Sequence, residues 1–213
     1  MSLVIPRLYV IMDAALLKSS AVELADALAS TGVGLIQYRD KQISPRKLLS
    51  ICRELVSLLR KYDGRLVVND RPDVAVLSGA GGVHVGQEDL PVEDARAVCG
   101  RNCWVGVSTH ALKQVRQAET TSADYIAVGP VFATTTKKSP QPVVGVEFVR
   151  QARELTRKPL VAIGGITLGN AAAVWQAGAD VVAVARDVLQ ATDPAARARE
   201  FLELASRLDS SRN

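Results

Sequence analysis

Short apolar segments rich in β-branched residues recur along this chain, and the intervals between them carry helical periodicity. The segments are LYVIM from Leu8, LIQYR from Leu35, LVVND from Leu66, GVHV from Gly82, WVGVS from Trp104, YIAVG from Tyr125, LVAIG from Leu160 and VVAVA from Val181. Between them lie stretches such as SAVELADALAS, SPRKLLSICRELVSLLRKY, ALKQVRQAE, GVEFVRQARELT and NAAAVWQAG, with apolar residues every three or four positions. Several open on a helix-capping type, Ser20, Ser44 and Asn170 among them, and Pro194 after Asp193 suits a first turn. Strands this uniformly apolar must be covered on both faces, which implies a parallel sheet with helical crossovers. Eight βα units predict an α/β fold, a (β/α)8 TIM barrel, built as a single domain over residues 1–213. A doubly wound open sheet is the competing architecture. Its dinucleotide fingerprint is imitated by GAGGVHVG from Gly79, but those glycines precede a strand instead of following one.

Composition narrows the function classes. The chain has 48% hydrophobic and 23% charged residues, as expected for a well-buried core, and no linker, charge run or low-complexity segment. The apolar N-terminal run is broken by Pro6, Arg7 and Asp13, so it matches neither a signal peptide nor a membrane span, and a cytoplasmic location is expected. Cys52, Cys99 and Cys103 lack paired metal spacing and read as packing thiols. A net charge of +4 is scattered, and aromatics at 4% are too few for nucleic-acid stacking, so the expected partners are small anions. A homo-oligomer is compatible with the sequence but not derivable from it.

In a barrel the chemistry belongs at the carboxyl ends of the strands, and polar residues cluster there: Asp13, Gln37, Arg39, Lys41, Asn69, Asp70, Asp89, Ser108 and Gly164. Singly, an Asp or Ser at a strand end caps the next helix as readily as it binds a ligand. Together they say more. In QYRDK the two-residue period sends Gln37, Arg39 and Lys41 to one side and Tyr38 and Asp40 to the other, with Tyr38 expected to face the helices. Two cations converging at a barrel mouth call for a polyanion. Opposite charge comes from VVND, with Asn69 and Asp70, and from GQED, with Glu88 and Asp89. Carboxylates from neighbouring strand ends facing such cations suit a Mg2+ shared with substrate phosphates, and spacing leaves Glu88 or Asp89 open as the second ligand. His84 reads as a strand-face residue and His110 as a loop or cap residue.

A second anion site is expected after the last two strands, where AIGGIT places Gly164 and Gly165 and VAVARD places Ala185 and Arg186. A tight turn is an equal reading of the two glycines. The longest loop, Gly129 to Gly145, offers Thr134, Thr135, Thr136, Lys137 and Lys138 to phosphate oxygens.

The ordered set QYRDK, VVND, HVGQED, GVSTH, GPVFATTTKK and AIGGI resembles the thiamine-phosphate synthase family from the first strand to the last. The resemblance implies a Mg2+-dependent transferase that couples 4-amino-2-methyl-5-(diphosphooxymethyl)pyrimidine to a thiazole ethyl phosphate, carboxylated or not. Its products would be thiamine phosphate and pyrophosphate. By resemblance Gln37, Tyr38, Arg39, Asp40, Lys41, Asn69, Ser108 and Lys137 bind the pyrimidine diphosphate. Asp70 and Asp89 hold Mg2+, while Thr134, Thr135, Thr136, Gly165, Ala185 and Arg186 hold the thiazole phosphate. Arg186 departs from the small residue common there. The implied mechanism is dissociative and uses no protein nucleophile: diphosphate leaves, and the thiazole nitrogen captures the pyrimidine methylene cation. Arg39, Lys41 and Lys137 then act electrostatically, with Ser108 and Gln37 orienting the ring. The competing readings are a thiazole tautomerase, which lacks the full diphosphate and metal set, and a non-catalytic phosphate-binding barrel, in which the Asp residues are helix caps.

Overall fold

A computed structural model describes residues 5–134 and 142–210. All eight expected strands form, as β1 (Leu8–Asp13), β2 (Leu35–Arg39), β3 (Arg65–Asn69), β4 (Gly82–Val85), β5 (Trp104–Thr109), β6 (Tyr125–Val128), β7 (Leu160–Ile163) and β8 (Val181–Val184). Each pairs in parallel with the next, and β1 pairs with β8, so the sheet closes into a barrel in chain order. The helices are α1 (Ala21–Ala29), α2 (Pro45–Leu59), α3 (Pro72–Ser78), α4 (Val92–Cys99), α5 (Leu112–Glu119), α6 (Gly145–Leu155), α7 (Leu168–Gln176), α8 (Arg186–Leu189) and α9 (Pro194–Ser210). Closure excludes the open doubly wound sheet.

The two-residue period of the strands divides the core into two. Tyr9, Ile11, Leu35, Val67, Tyr125, Val161 and Val181 point inward and fill the barrel. Leu8, Val10, Met12, Ile36, Tyr38, Leu66 and Val68 point outward and meet the apolar faces of the helices, including Leu55 and Leu59 of α2 and Trp175 of α7. Full burial of each such side chain is worth about 1.5–3 kcal/mol, which makes a one-residue slip of any strand prohibitive. Cys52 and Cys103 are buried thiols in the outer layer, as expected of packing residues.

Side-chain N-caps open α1 and α9. Ser20 accepts from the Glu23 amide at 3.1 Å while Glu23 accepts from the Ser20 amide, a reciprocal capping box. Asp193 accepts from the Ala196 amide at 3.0 Å ahead of Pro194. Two expectations are corrected. Ser44 stands at the N-cap of α2 but makes no side-chain cap bond there. Asn170 lies inside α7, not at its start: its side chain accepts from the Thr167 amide and donates to the Gly165 carbonyl, holding the turn that leads out of β7. The four-residue α8 is the element that periodicity did not anticipate, being shorter than two turns.

Candidate active site

The carboxyl ends of the strands surround a cavity of about 480 Å³. One wall is apolar, formed by Ile11, Ala127, Val161, Ile163 and Ala183, and the other carries Asp13, Gln37, Arg39, Asn69, His84 and Ser108. The pairing register explains this segregation, since it sets Asp13 beside Arg39 and Asn69 beside His84 across adjacent strands.

Asp13 does two things at once. Its Oδ1 accepts from the Ala15 amide at 3.1 Å, capping the turn after β1, and its Oδ2 accepts from Arg39 at 2.5 Å. The Asp13 and Arg39 side chains are 4% and 17% exposed, so the pair is largely withdrawn from water and the guanidinium is held at one orientation over the cavity. Lys41 lies beyond the end of β2 and bridges to Asp70 at 2.8 Å. Asp70 adopts a left-handed backbone with φ of 61°, a conformation Asp tolerates better than most residues, and this directs its carboxylate toward Lys41 and Asp89.

The Asp70 and Asp89 carboxyls are close enough to perturb each other's titration. Their titrations separate accordingly. Burial and the neighbouring Asp70 push Asp89 up, although the Gly86 amide donates to it at 2.8 Å. Burial also opposes the charge on Asp70, but Lys41 and the neighbouring Asp89 outweigh it and hold that carboxyl below the usual range. Two hard, mutually repelling carboxylates fit a Mg2+, which keeps most of its water. Among the described residues no group of three or more metal-ligating side chains gathers anywhere. Glu88 is exposed, whereas Asp89 is half-buried and stands beside Asp70.

The stretch from Gln37 to Lys41 divides as the two-residue period requires. Gln37 and Arg39 line the cavity, whereas Lys41, past the strand end, pairs with Asp70 outside its lining. Tyr38 is packed in the layer between strands and helices, and its phenol is pushed up to about 12 by burial and by the adjacent Asp40. Asp40 accepts from the amides of Gln42 and Ile43 and shapes the turn toward α2. Tyr38 and Asp40, expected with the pyrimidine diphosphate set, are absent from the cavity lining.

At the opposite side Thr134, Gly164, Gly165, Ala185 and Arg186 line the same cavity. Gly165 has φ of 63°, and a Cβ there would stand 2.5 Å from the Ala133 carbonyl oxygen and 2.8 Å from Phe132 Cβ. The two loops interlock through bonds from the Val131 amide to the Ile163 carbonyl and from the Phe132 amide to the Gly164 carbonyl. Glycine is therefore required here by the tight turn and by the close approach of the loop after β6. β8 ends at Val184, so Ala185 is the junction and Arg186 opens α8, where its guanidinium donates to Gln190 at 3.0 Å. Thr135, Thr136, Lys137 and Lys138 lie outside the described residues.

The sequence reading missed a buried polar chain beneath the cavity. Gln37 Nε2 donates to Tyr9 Oη at 2.7 Å, and Tyr9 and Tyr125 hydroxyls are 3.2 Å apart. Tyr125 Oη is 3.0 Å from His84 Nδ1, and His84 Nε2 is 2.8 Å from Ser108 Oγ. Tyrosine at inward-facing strand positions, Tyr9 and Tyr125, was the available signal. His110 bonds the Gly129 carbonyl through Nδ1 at 2.5 Å, as expected of a residue bracing a loop.

The sequence profile described as thiamine monophosphate synthase matches residues 8–188. A thiamine-phosphate synthase of Koribacter versatilis is 48% identical over 94% of this chain and 96% of its own length. One of Chloroflexus aurantiacus is 44% identical over 94% of this chain and 93% of its own length. Among solved structures, a thiamine phosphate pyrophosphorylase from Pyrococcus furiosus superposes with a TM-score of 0.87 at 35% identity, covering 94% of this chain and 96% of that one.

Proposed function

The chain belongs to the thiamine monophosphate synthase family and is a transferase that forms thiamine phosphate, and from that premise we propose how its residues bind the two substrates and drive the coupling. The observation that carries the proposal is the cationic pair Arg39 and Lys41, each locked to a carboxylate, beside the adjoining carboxylates Asp70 and Asp89.

The aminopyrimidine diphosphate occupies the polar wall. Gln37 and Ser108 hold its ring, Asn69 and Arg39 contact the methylene-bound phosphate, and Lys41 and Lys137 contact the terminal phosphate. Asp70 and Asp89 would hold a Mg2+, which when bound would supply charge neutralisation to the departing diphosphate. The thiazole ethyl phosphate occupies the glycine side, its phosphate on the backbone around Gly165 and Ala185, with Thr134 to Thr136 and the Arg186 guanidinium around it. Its ring lies against the apolar wall, which excludes water from the reacting carbon.

The bond between the pyrimidine methylene and the diphosphate oxygen breaks first. The electron pair leaves with oxygen, and the aminopyrimidine disperses the positive charge left on the methylene. The thiazole nitrogen then donates its lone pair to that carbon. No side chain acts as nucleophile. Arg39 contributes by a pre-set orientation: Asp13 fixes it before substrate arrives, so little reorganisation accompanies charge development, and one such donor is commonly worth about 3–4 kcal/mol in the transition state. The full chain, residues 1–213, would act as one cytoplasmic domain. Among the described residues no helix is long and apolar enough to cross a membrane.

A thiazole tautomerase needs no diphosphate cradle, and the complete Arg39, Lys41, Asp70 and Asp89 set favours coupling over that chemistry. The two-sided division is tested by initial rates with each substrate varied in turn. Arg39→Ala is expected to raise KM and lower kcat with respect to the pyrimidine diphosphate while leaving KM for the thiazole phosphate within about twofold; a loss shared equally by both substrates would contradict it.

A further inference from the structure

The buried chain from Gln37 to Ser108 has a polarity, and the polarity is readable. Tyr9 is 1% exposed and Tyr125 is fully buried, so neither hydroxyl has solvent to fall back on. Their rings meet edge to face with centroids 6.2 Å apart, and Tyr125 stacks on His84 with centroids 5.5 Å apart. Space for Tyr125 is reserved by Gly106 on the neighbouring strand, where a Cβ would stand 2.0 Å from Tyr125 Cζ and 2.4 Å from its hydroxyl oxygen. The interior is therefore built around this phenol.

One proton order that satisfies every group in the chain starts from the Gln37 amide donor. With the Gln37 amide nitrogen donating to Tyr9, the Tyr9 proton turns to Tyr125. The Tyr125 proton then turns to Nδ1 of His84, which makes His84 the tautomer protonated on Nε2. That proton faces Ser108 Oγ, so the Ser108 hydroxyl hydrogen is released toward the cavity. At the other end, Gln37 Oε1 is the atom left to face the cavity. Burial raises both phenols well above their ordinary range, so they stay protonated and keep the order intact.

We propose that Tyr9, Tyr125 and His84 are positioning residues that fix Gln37 as a hydrogen-bond acceptor and Ser108 as a donor, so that the cavity floor selects a 4-aminopyrimidine against a 4-oxopyrimidine. The inference rests on the reading that Gln37 and Ser108 hold the pyrimidine ring. An aminopyrimidine offers an amine N–H and a lone-pair ring nitrogen, which this pattern matches. The 4-oxo ring presents a carbonyl and a ring N–H, the inverse pattern, and meets an acceptor with an acceptor. Discrimination would arise from groups that never touch the ligand, since reversing any link reverses the whole chain.

Calorimetric titration of the Mg2+-loaded protein with the 4-amino and 4-oxo pyrimidine monophosphates tests this without chemistry. The intact protein is expected to prefer the amino compound by about 100-fold, the ratio set by one mismatched buried pair. Tyr125→Phe keeps the ring but removes the relay, and Gln37→Glu forces Tyr9 to donate outward and inverts the order. Each is expected to cut the preference to about tenfold or less, while thiazole phosphate binding, the control for an intact fold, stays unchanged. Tyr9→Phe provides the second break should Tyr125→Phe fail that control. Undiminished preference in a folded Tyr125→Phe or Tyr9→Phe protein would overturn the relay but leave the site reading standing. If the intact protein binds neither pyrimidine while still binding the thiazole phosphate, the site reading falls, and the relay with it.

Discussion

Replacing Gly165 with alanine separates the acceptor half of the site from the donor half. Alanine at φ of 63° costs about 1–2 kcal/mol, because L-residues crowd the following carbonyl in that region. The added methyl would stand 2.5 Å from the Ala133 carbonyl oxygen, so the loop after β6 must move, and overpacking of this kind costs about 1–3 kcal/mol. The sum, about 2–5 kcal/mol, corresponds to a fall in melting temperature on the order of 10 °C for a chain of this size. The same displacement moves the backbone donors around the phosphate. Losing one charge-assisted hydrogen bond, about 1.5–3 kcal/mol, raises KM for the thiazole phosphate by about 10- to 100-fold. Differential scanning calorimetry and initial rates with each substrate varied give both numbers. An unchanged melting temperature would refute the steric reasoning, and an equal rise in both KM values would refute the assignment of Gly165 to the acceptor phosphate.

Asp13→Asn should retain the cap on Ala15 but leave Arg39 without its counter-charge. Urea unfolding should report a loss of about 2 kcal/mol, discounted from a fully buried pair for the remaining exposure of Arg39, and KM for the pyrimidine diphosphate should rise; a change under about 0.5 kcal/mol would show that the pair is not structural. Asp70→Ala and Asp89→Ala should each abolish coupling with circular dichroism unchanged, whereas full activity in both would remove the metal assignment. Cys52 and Cys103, whose thiols burial pushes up to about 12, should resist iodoacetamide at pH 8 in the folded protein and react after denaturation, as peptide mass mapping would show; rapid native labelling would contradict their burial.

The barrel was legible because each strand is a continuous apolar run and each helix a periodic one, and both patterns are imposed by burial on two faces or on one. QYRDK was legible for the same reason, since a strand period fixes that Gln37 and Arg39 share a side and that Tyr38 turns toward the helices. The same stretch includes Tyr38 and Asp40, whose side chains go to the layer under the helices and to the turn toward α2. Asp13 looked like either a cap or a ligand and proves to be a cap whose second oxygen is committed to Arg39, a pairing set by register across β1 and β2 that no local pattern encodes. The inward-facing tyrosines hinted at the chain from Gln37 through Tyr9, Tyr125 and His84 to Ser108, but its connectivity was not legible because its members come from five different strands that only barrel closure brings together. Short α8 escaped because a single turn carries no period.

The most direct test of the central claim combines the purified protein with the aminopyrimidine diphosphate and the thiazole ethyl phosphate, with Mg2+ or with excess EDTA, followed by oxidation to fluorescent thiochrome. Thiochrome should appear only when both substrates and Mg2+ are present, with one pyrophosphate released per thiamine phosphate. Folded protein that yields no thiochrome in the complete mixture but isomerises the thiazole phosphate would contradict the assignment of coupling chemistry, and undiminished thiochrome in EDTA would contradict the role given to Asp70 and Asp89.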